Sequence, residues 1–244
     1  MKKRYLVLIF FFLLFLSSIA LLNKKVTMRQ GVGGKLSIIT LPLYLKVLNF
    51  YDRHHNYKWL AKRITVHLDT KEDKILRLFH WTHETIKPQP ESLPIMDSHV
   101  WDIYIRGYGT RANFHDIFST LCNYIGADAF CIRLDARDSY NHIPLSFVRM
   151  KRGWVVFDPY NEIYFRNNTG DLATIEEIIE QNCHIVKLSQ TDISKAYYEQ
   201  YIVENLPRIK KFSSKLLRAD IQSPINRLRF QLHIWFSGKR PLLE

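Results

Sequence analysis

The sequence predicts an α+β domain, a buried helix packed on an antiparallel sheet, with an N-terminal transmembrane helix and a basic C-terminal extension. Three observations predict it. Between Thr110 and Gly126, the residues Phe114, Ile117, Phe118, Leu121, Cys122 and Ile125 recur at steps of three and four, the stripe of a buried amphipathic helix. Three strand candidates follow it, AFCIRL, LSFVRM and WVVFD, the last two joined by the tight turn Lys151-Arg152-Gly153. At the N-terminus, Tyr5 to Leu22 is an uncharged, mostly apolar run. The apolar content of 47% is enough to fill a core.

The chain divides into residues 1–25, a signal anchor; 26–69, a linker and helical lead-in; 70–206, the folded domain; and 207–244, a basic amphipathic extension. Lys2, Lys3 and Arg4 precede the apolar run, and Lys24 and Lys25 stop it. As a helix its length is roughly 27 Å, close to the hydrocarbon thickness of a bilayer. A cleaved signal peptide is the other reading, with Ser18-Ile19-Ala20 as its cleavage site; the full length and the basic stop favour an uncleaved anchor. The three leading cations favour an N-terminus inside and a domain outside the cytoplasm, a bias narrowed by Lys24, Lys25, Arg29 and Lys35.

GVGG at 31–34 reads as a flexible linker. From Leu43 to Leu60 helical spacing is partial, at Leu43, Tyr44, Val47, Leu48 and Tyr51, and the polar stretch Asp52 to Asn56 interrupts it. Thr70 with Asp73 three residues on has the form of a capping box and opens a helix through Ile86. PQPESLP is a loop, and Val100 to Ile105 is either a strand or the lead-in to the buried helix. That helix starts near Thr110 or Arg111, behind Gly107 and Gly109, and Gly126 closes it.

Beyond Asp158, Glu162 to Phe165 reads as a short edge strand, and Leu172 to Gln181 and Ser194 to Leu206 as helices. The stretch from Arg208 to Arg240 carries nine Lys or Arg against Asp220 alone, interleaved with Leu, Phe and Trp. It suits either an amphipathic element on an anionic membrane or a packed helix with a solvated basic face.

The segments GYGTRANFHDIFSTLCNYIGADAF and GWVVFDPY, with a weaker match at KILRLFHWTHETI, resemble the core of the transglutaminase-like superfamily, which includes transglutaminases and papain-like thiol hydrolases. The resemblance spans roughly Thr70 to Gly170. It implies a glycine-flanked cysteine opening the buried helix, a histidine at the start of the second strand and an aspartate on the third. Counting back from Gly126, Arg111 stands where that cysteine is expected. Asp158 matches the aspartate, and His142 is the best match for the histidine. His142 and Asp158 are therefore expected to be remnants of a triad, with Arg111 and Thr110 as binding residues at the helix start.

A Cys-His-Asp site needs a thiolate to attack, an imidazole to move its proton and a carboxylate to orient the imidazole. Arginine stays protonated and cannot attack. A cation at a helix N-terminus also needs a partner, and the expected one is Asp158 in an ion pair. Cys122 and Cys131 read as core residues, and Cys183 beside His184 makes a poor dyad because neighbours in an extended segment point apart. Three cysteines give no disulfide framework.

No phosphate-binding glycine loop, dinucleotide fingerprint or metal-ligand spacing is present, so no cofactor and no metal is expected. Net charge is +12, of which the residues after 25 carry +7. That excess suggests an acidic partner. The expected partners are the membrane and a protein or acidic polysaccharide of the envelope; nucleic acid is not expected, since no nucleic-acid-binding signature is found. These residues together read as a membrane-anchored, non-catalytic protein. The rival is an active thiol hydrolase or acyl transferase with a relocated nucleophile, and a third reading is a membrane-surface scaffold.

Overall fold

A computed structural model describes residues 2–32, 35–96, 99–135, 142–187, 202, 205–206 and 224–237. Its centre is a helix, α5 (Arg111–Tyr124), on which every residue from Phe114 to Cys122 is buried. Gly126 follows it at φ +78°, the left-handed conformation that ends helices and that glycine adopts freely. On one side of α5 lie α2 (Leu43–Thr65), α3 (Lys71–Thr85) and α4 (Val100–Arg106). On the other lies an antiparallel sheet of five strands in chain order: β5 (Ala129–Asp135), β6 (His142–Arg149), β7 (Trp154–Asp158), β8 (Ile163–Asn167) and β9 (Cys183–Lys187).

The sheet alternates faces along each strand. Ala129, Val148, Val155 and Phe157 join Phe79, Phe114 and Phe118 in the core beneath the helices. Phe130, Leu145, Phe147 and Val156 join a second core on the far face, which also takes Ile175 and Ile178 of α6 (Ile175–Ile179) and Ile202. Thr70 caps α3 as its sequence predicts, accepting from the Asp73 backbone N–H at 3.1 Å.

Several expectations are corrected. The predicted linker is a β-hairpin of β1 (Lys25–Gln30) and β2 (Ser37–Pro42), paired from Lys25↔Pro42 to Gln30↔Ser37. Gly31 is buried, donating its N–H to Asp102 Oδ2 at 2.9 Å and accepting from Arg106 at 3.2 Å, so GVGG does not begin as a loose tether. The helix α2 runs unbroken through Asp52 to Asn56: Asp52 and His55 are exposed, His54 turns inward to Tyr124 Oη at 2.8 Å, and Tyr57, Leu60 and Ala61 continue the buried side. Of the two readings of Val100 to Ile105, the structure takes the lead-in to the buried helix, as the helix α4, and not the strand. The strand beyond Asp158 is not an edge: β9 pairs outside it along its whole length. Most of the predicted helix from Ser194 to Leu206 lies outside the described residues. So does most of the basic tail, apart from the helix α7 (Pro224–Ser237). The helix α1 (Lys2–Leu22) is the one described helix long and apolar enough to cross a membrane, over Arg4–Leu22.

Candidate functional site

Two short strands, β3 (Lys87–Pro88) and β4 (Tyr108–Gly109), pair in parallel and set the start of α5. Asn113, in the first turn, reaches back to accept from the Thr110 N–H at 2.9 Å and from Arg106 at 3.2 Å. Gly109 must lack a side chain there, since a Cβ would stand 2.7 Å from Asn113 Cβ. Thr110 is thus the N-cap of α5 and Arg111 its first residue.

Arg111 does not pair with Asp158. Its guanidinium lies over the ring of Tyr160, 5.0 Å from the centroid, and Tyr160 in turn packs edge-to-face on Phe114. The cation has found a π-face in place of a carboxylate, because Asp158 is already engaged one turn deeper.

There, His115 of α5 puts Nε2 3.5 Å from Asp158 Oδ1 and Nδ1 3.0 Å from Ser146 Oγ of β6. Ser119 Oγ donates to Ser146 Oγ at 3.2 Å. Asp158 also accepts from the Tyr160 and Asn161 backbone N–H groups, each at 3.1 Å, and from Asn161 Nδ2 at 2.6 Å. Burial works to raise its carboxyl pKa, but the His115 contact and the Asn161 bonds outweigh it and hold Asp158 below its ordinary value. At 3.5 Å the Nε2–Oδ1 approach is long for a hydrogen bond, so its effect is chiefly electrostatic. The pattern is self-consistent with a ring that carries its proton on Nε2 and accepts from Ser146 on Nδ1, a tautomer assigned from the partners.

Ser146, His115 and Asp158 thus line up as hydroxyl, imidazole and carboxylate. All three are closed to solvent, at 0%, 0% and 1% exposure, so no substrate reaches the hydroxyl. The line is a buried polar network in which Ser119, Ser146 and His115 Nδ1 are linked by hydrogen bonds, while His115 Nε2 faces Asp158 without one.

Beside it, at the head of α5, opens a cavity of about 390 Å³ lined among others by Thr110, Ala112, Asn113, Asp116, Cys131 and Arg133. Cys131 is not a core residue as its sequence context predicts. It points from β5 toward α5, and its Sγ lies 3.5 Å from Asp116 Oδ1. Cys122 is fully buried in the core, where desolvation pushes its thiol well above the usual value. Cys183 begins β9, at the opposite edge of the five-stranded sheet from Cys131 on β5.

No family model matches the chain, and no curated protein does. Solved structures do. The chain is similar to a candidate cysteine protease from Cytophaga hutchinsonii, with 12% identity, 58% of this chain and 54% of that one covered, and a TM-score of 0.40. It is similar to a candidate protease from Parabacteroides distasonis, at 10% identity, with 69% and 40% covered and a TM-score of 0.35. It is also similar to a TGase, at 10% identity, with 72% and 49% covered and a TM-score of 0.37. The chain therefore spans about half the length of these structures or less.

Of the residues expected at the site, Thr110, Arg111 and Asp158 come together around the start of α5 and its neighbouring loop. His142 opens β6, paired with Asp135, and its side chain lies outside the described residues. Sequence reasoning missed His115, Ser146, Asn161 and Asp116. One signal was present: His115 and Asp116 sit between Phe114 and Ile117 in the middle of an otherwise apolar segment. A polar pair so placed must find partners inside the fold.

Proposed function

We propose that this chain is a membrane-anchored protein of transglutaminase-like architecture whose cleft binds a segment of protein or acidic polysaccharide without catalysing a reaction on it. One observation carries this reading: Arg111 occupies the head of the central helix, its charge laid on Tyr160, while the carboxylate that would orient a catalytic imidazole is held below it by His115. A guanidinium has no lone pair to attack a carbonyl. It does have donors for carbonyl and carboxylate oxygens, and the adjoining cavity adds Arg133, Asn113 and Thr110 as polar contacts. In this reading α1 spans the membrane once and, with Lys2, Lys3 and Arg4 on the inner side, the domain stands outside the cytoplasm.

A second reading, a thiol hydrolase with a moved nucleophile, is favoured by the position of Cys131 in the same cavity. Against it, the group 3.5 Å from the sulfur is the Asp116 carboxylate rather than an imidazole. Alkylation of the full-length chain across pH separates the two. The binding reading expects Cys131 to label slowly at neutral pH. Fast labelling of Cys131 at neutral pH, removed by Asp116→Asn, would overturn it in favour of the enzyme.

A further inference from the structure

We infer that the first half of α2, together with the β1–β2 hairpin, lies on the surface of an anionic bilayer. The inference rests on the membrane-anchor reading of α1 and adds a second, peripheral contact to it.

The two halves of α2 bury opposite things. In the second, Tyr57, Leu60 and Ala61 enter the core, while Trp59 stays 53% exposed. In its first half Tyr44, Val47, Leu48 and Tyr51, spaced three and four apart, form a stripe left at 40%, 40%, 58% and 45% exposure, although α7 also approaches α2. An apolar stripe of this kind on a water-soluble surface calls for a cover. Its place in the chain says which. The Leu43 N–H donates to Lys24 O at 2.9 Å, so α2 begins where the apolar run of α1 ends. The hairpin returns the chain to that point by pairing Lys25 with Pro42, and Lys46 Nζ fastens helix to hairpin through Thr27 O at 2.8 Å. The outer side of the hairpin adds Ile38, 66% exposed, opposite Arg29.

Charge selects the same occupant. Between Asn23 and Tyr51 there are five Lys or Arg and no Asp or Glu. Residues 1–68 hold 12 Lys or Arg and one acid, Asp52, whereas residues 69–206 hold 14 and 20. Within residues 1–206 the positive charge is thus gathered in the segment that carries the stripe, and residues 207–244 add nine Lys or Arg and two acids. Anionic headgroups attract such a segment, whereas a second copy of the same basic stripe would be repelled. The tyrosines at either end of the stripe suit an interface, with the ring in the acyl boundary and the hydroxyl at headgroup level.

The test uses the full chain in vesicles of phosphatidylcholine mixed with phosphatidylglycerol, carrying brominated acyl chains. Leu48→Trp is compared with the parent and with Val66→Trp. Val66 is also exposed but lies about 27 Å further along the helix direction, at 1.5 Å per residue. The expected result is that the emission added at position 48 is lost to the bromines, that the emission added at 66 is not, and that neutral lipid or high salt restores the former. Equal emission from both added tryptophans in brominated and ordinary lipid overturns the inference. So does protection of position 48 that persists in neutral lipid and tracks protein concentration, which would mean a second copy covers the stripe. Alkaline carbonate extraction of the same vesicles reads α1 separately: release of the chain sinks the anchor, whereas retention without quenching at 48 sinks only the surface contact.

Discussion

His115 Nε2 and Asp158 Oδ1 stand 3.5 Å apart at 0% and 1% exposure, an imidazole and a carboxylate facing each other out of reach of water. The pair joins the central helix to the end of β7, and its neighbours Ser146, Ser119 and Asn161 leave few of its polar atoms without company. Removing one partner strands the other charge or dipole. His115→Ala is expected to destabilise the fold by about 1–3 kcal/mol, since Ser146 loses its buried acceptor while Asp158 keeps its Tyr160 and Asn161 bonds. Asp158→Asn, which keeps the shape and can still accept, should cost less. Urea unfolding of the three proteins at neutral pH gives the order; a His115→Ala chain as stable as the parent would show that the contact contributes nothing.

The same pair sets an acid limb. Asp158 is held below its ordinary pKa in the fold, so its ionised form favours the folded state. That contribution is complete above the unfolded-state value of about 3.9 and is lost as pH falls through the lower, folded value. Stability of the parent should therefore drop more steeply below about pH 4 than that of Asp158→Asn, which has no proton to take up there. Unfolding free energy measured from pH 6 downward, on the order of one unit per step, tests this; parallel curves would refute the assignment of the acid limb to Asp158.

Much of the fold was legible because its signals are local. The stripe from Phe114 to Ile125 and the glycine after it specify a helix on both periodicity and stop chemistry, and the structure places α5 there. Thr70 and Asp73 marked the start of α3 for the same reason. What escaped depends on pairing across distance. The hairpin Lys25–Gln30 and Ser37–Pro42 is weakly alternating and straddles a glycine-rich turn, so only its register reveals it. Alternation marked Cys131 as a strand residue but could not say that its face meets Asp116. His115 was invisible as a site residue because its partners, Ser146 and Asp158, come from two strands 31 and 43 positions on.

Gly109 offers a steric prediction. A Cβ at this position would meet Asn113 Cβ at 2.7 Å and Oδ1 at 2.8 Å, the latter the atom that accepts from the Thr110 N–H. Cβ is not the far end of a flexible chain, so the backbone must yield. Gly109→Ala is expected to cost about 1–3 kcal/mol, the range for overpacking a filled space. Loss of the Asn113 cap should also speed hydrogen exchange at the Thr110 amide. Unchanged exchange there, with unchanged stability, would contradict the packing described.

The three thiols should separate by depth. Cys122 is sealed in the core and its thiol is pushed well up by desolvation, so its alkylation is expected only through unfolding, at a rate that follows denaturant. Cys131 and Cys183 are partly exposed and should label in the folded chain. Peptide mapping after a short native exposure to iodoacetamide checks the order, and early labelling of Cys122 would place it outside the core.

Placing sulfur at the head of α5 should not create chemistry. Arg111→Cys puts a thiol at the N-terminus of a buried helix, where the dipole favours its anion by about 0.3–1 kcal/mol. A working site needs more: an imidazole to take the proton, and a carboxylate free to orient that imidazole. Asp158 is not free, since His115, Asn161 and two backbone N–H groups hold its oxygens. The variant is therefore expected to show a slightly acidified but otherwise ordinary thiol and no burst of product from an activated ester. It should also lose about 0.5–1 kcal/mol of stability with the cation–π contact to Tyr160. A stoichiometric burst at neutral pH from Arg111→Cys alone would mean that a second imidazole already reaches the helix head, and would show that the cleft lacks nothing for catalysis except its nucleophile.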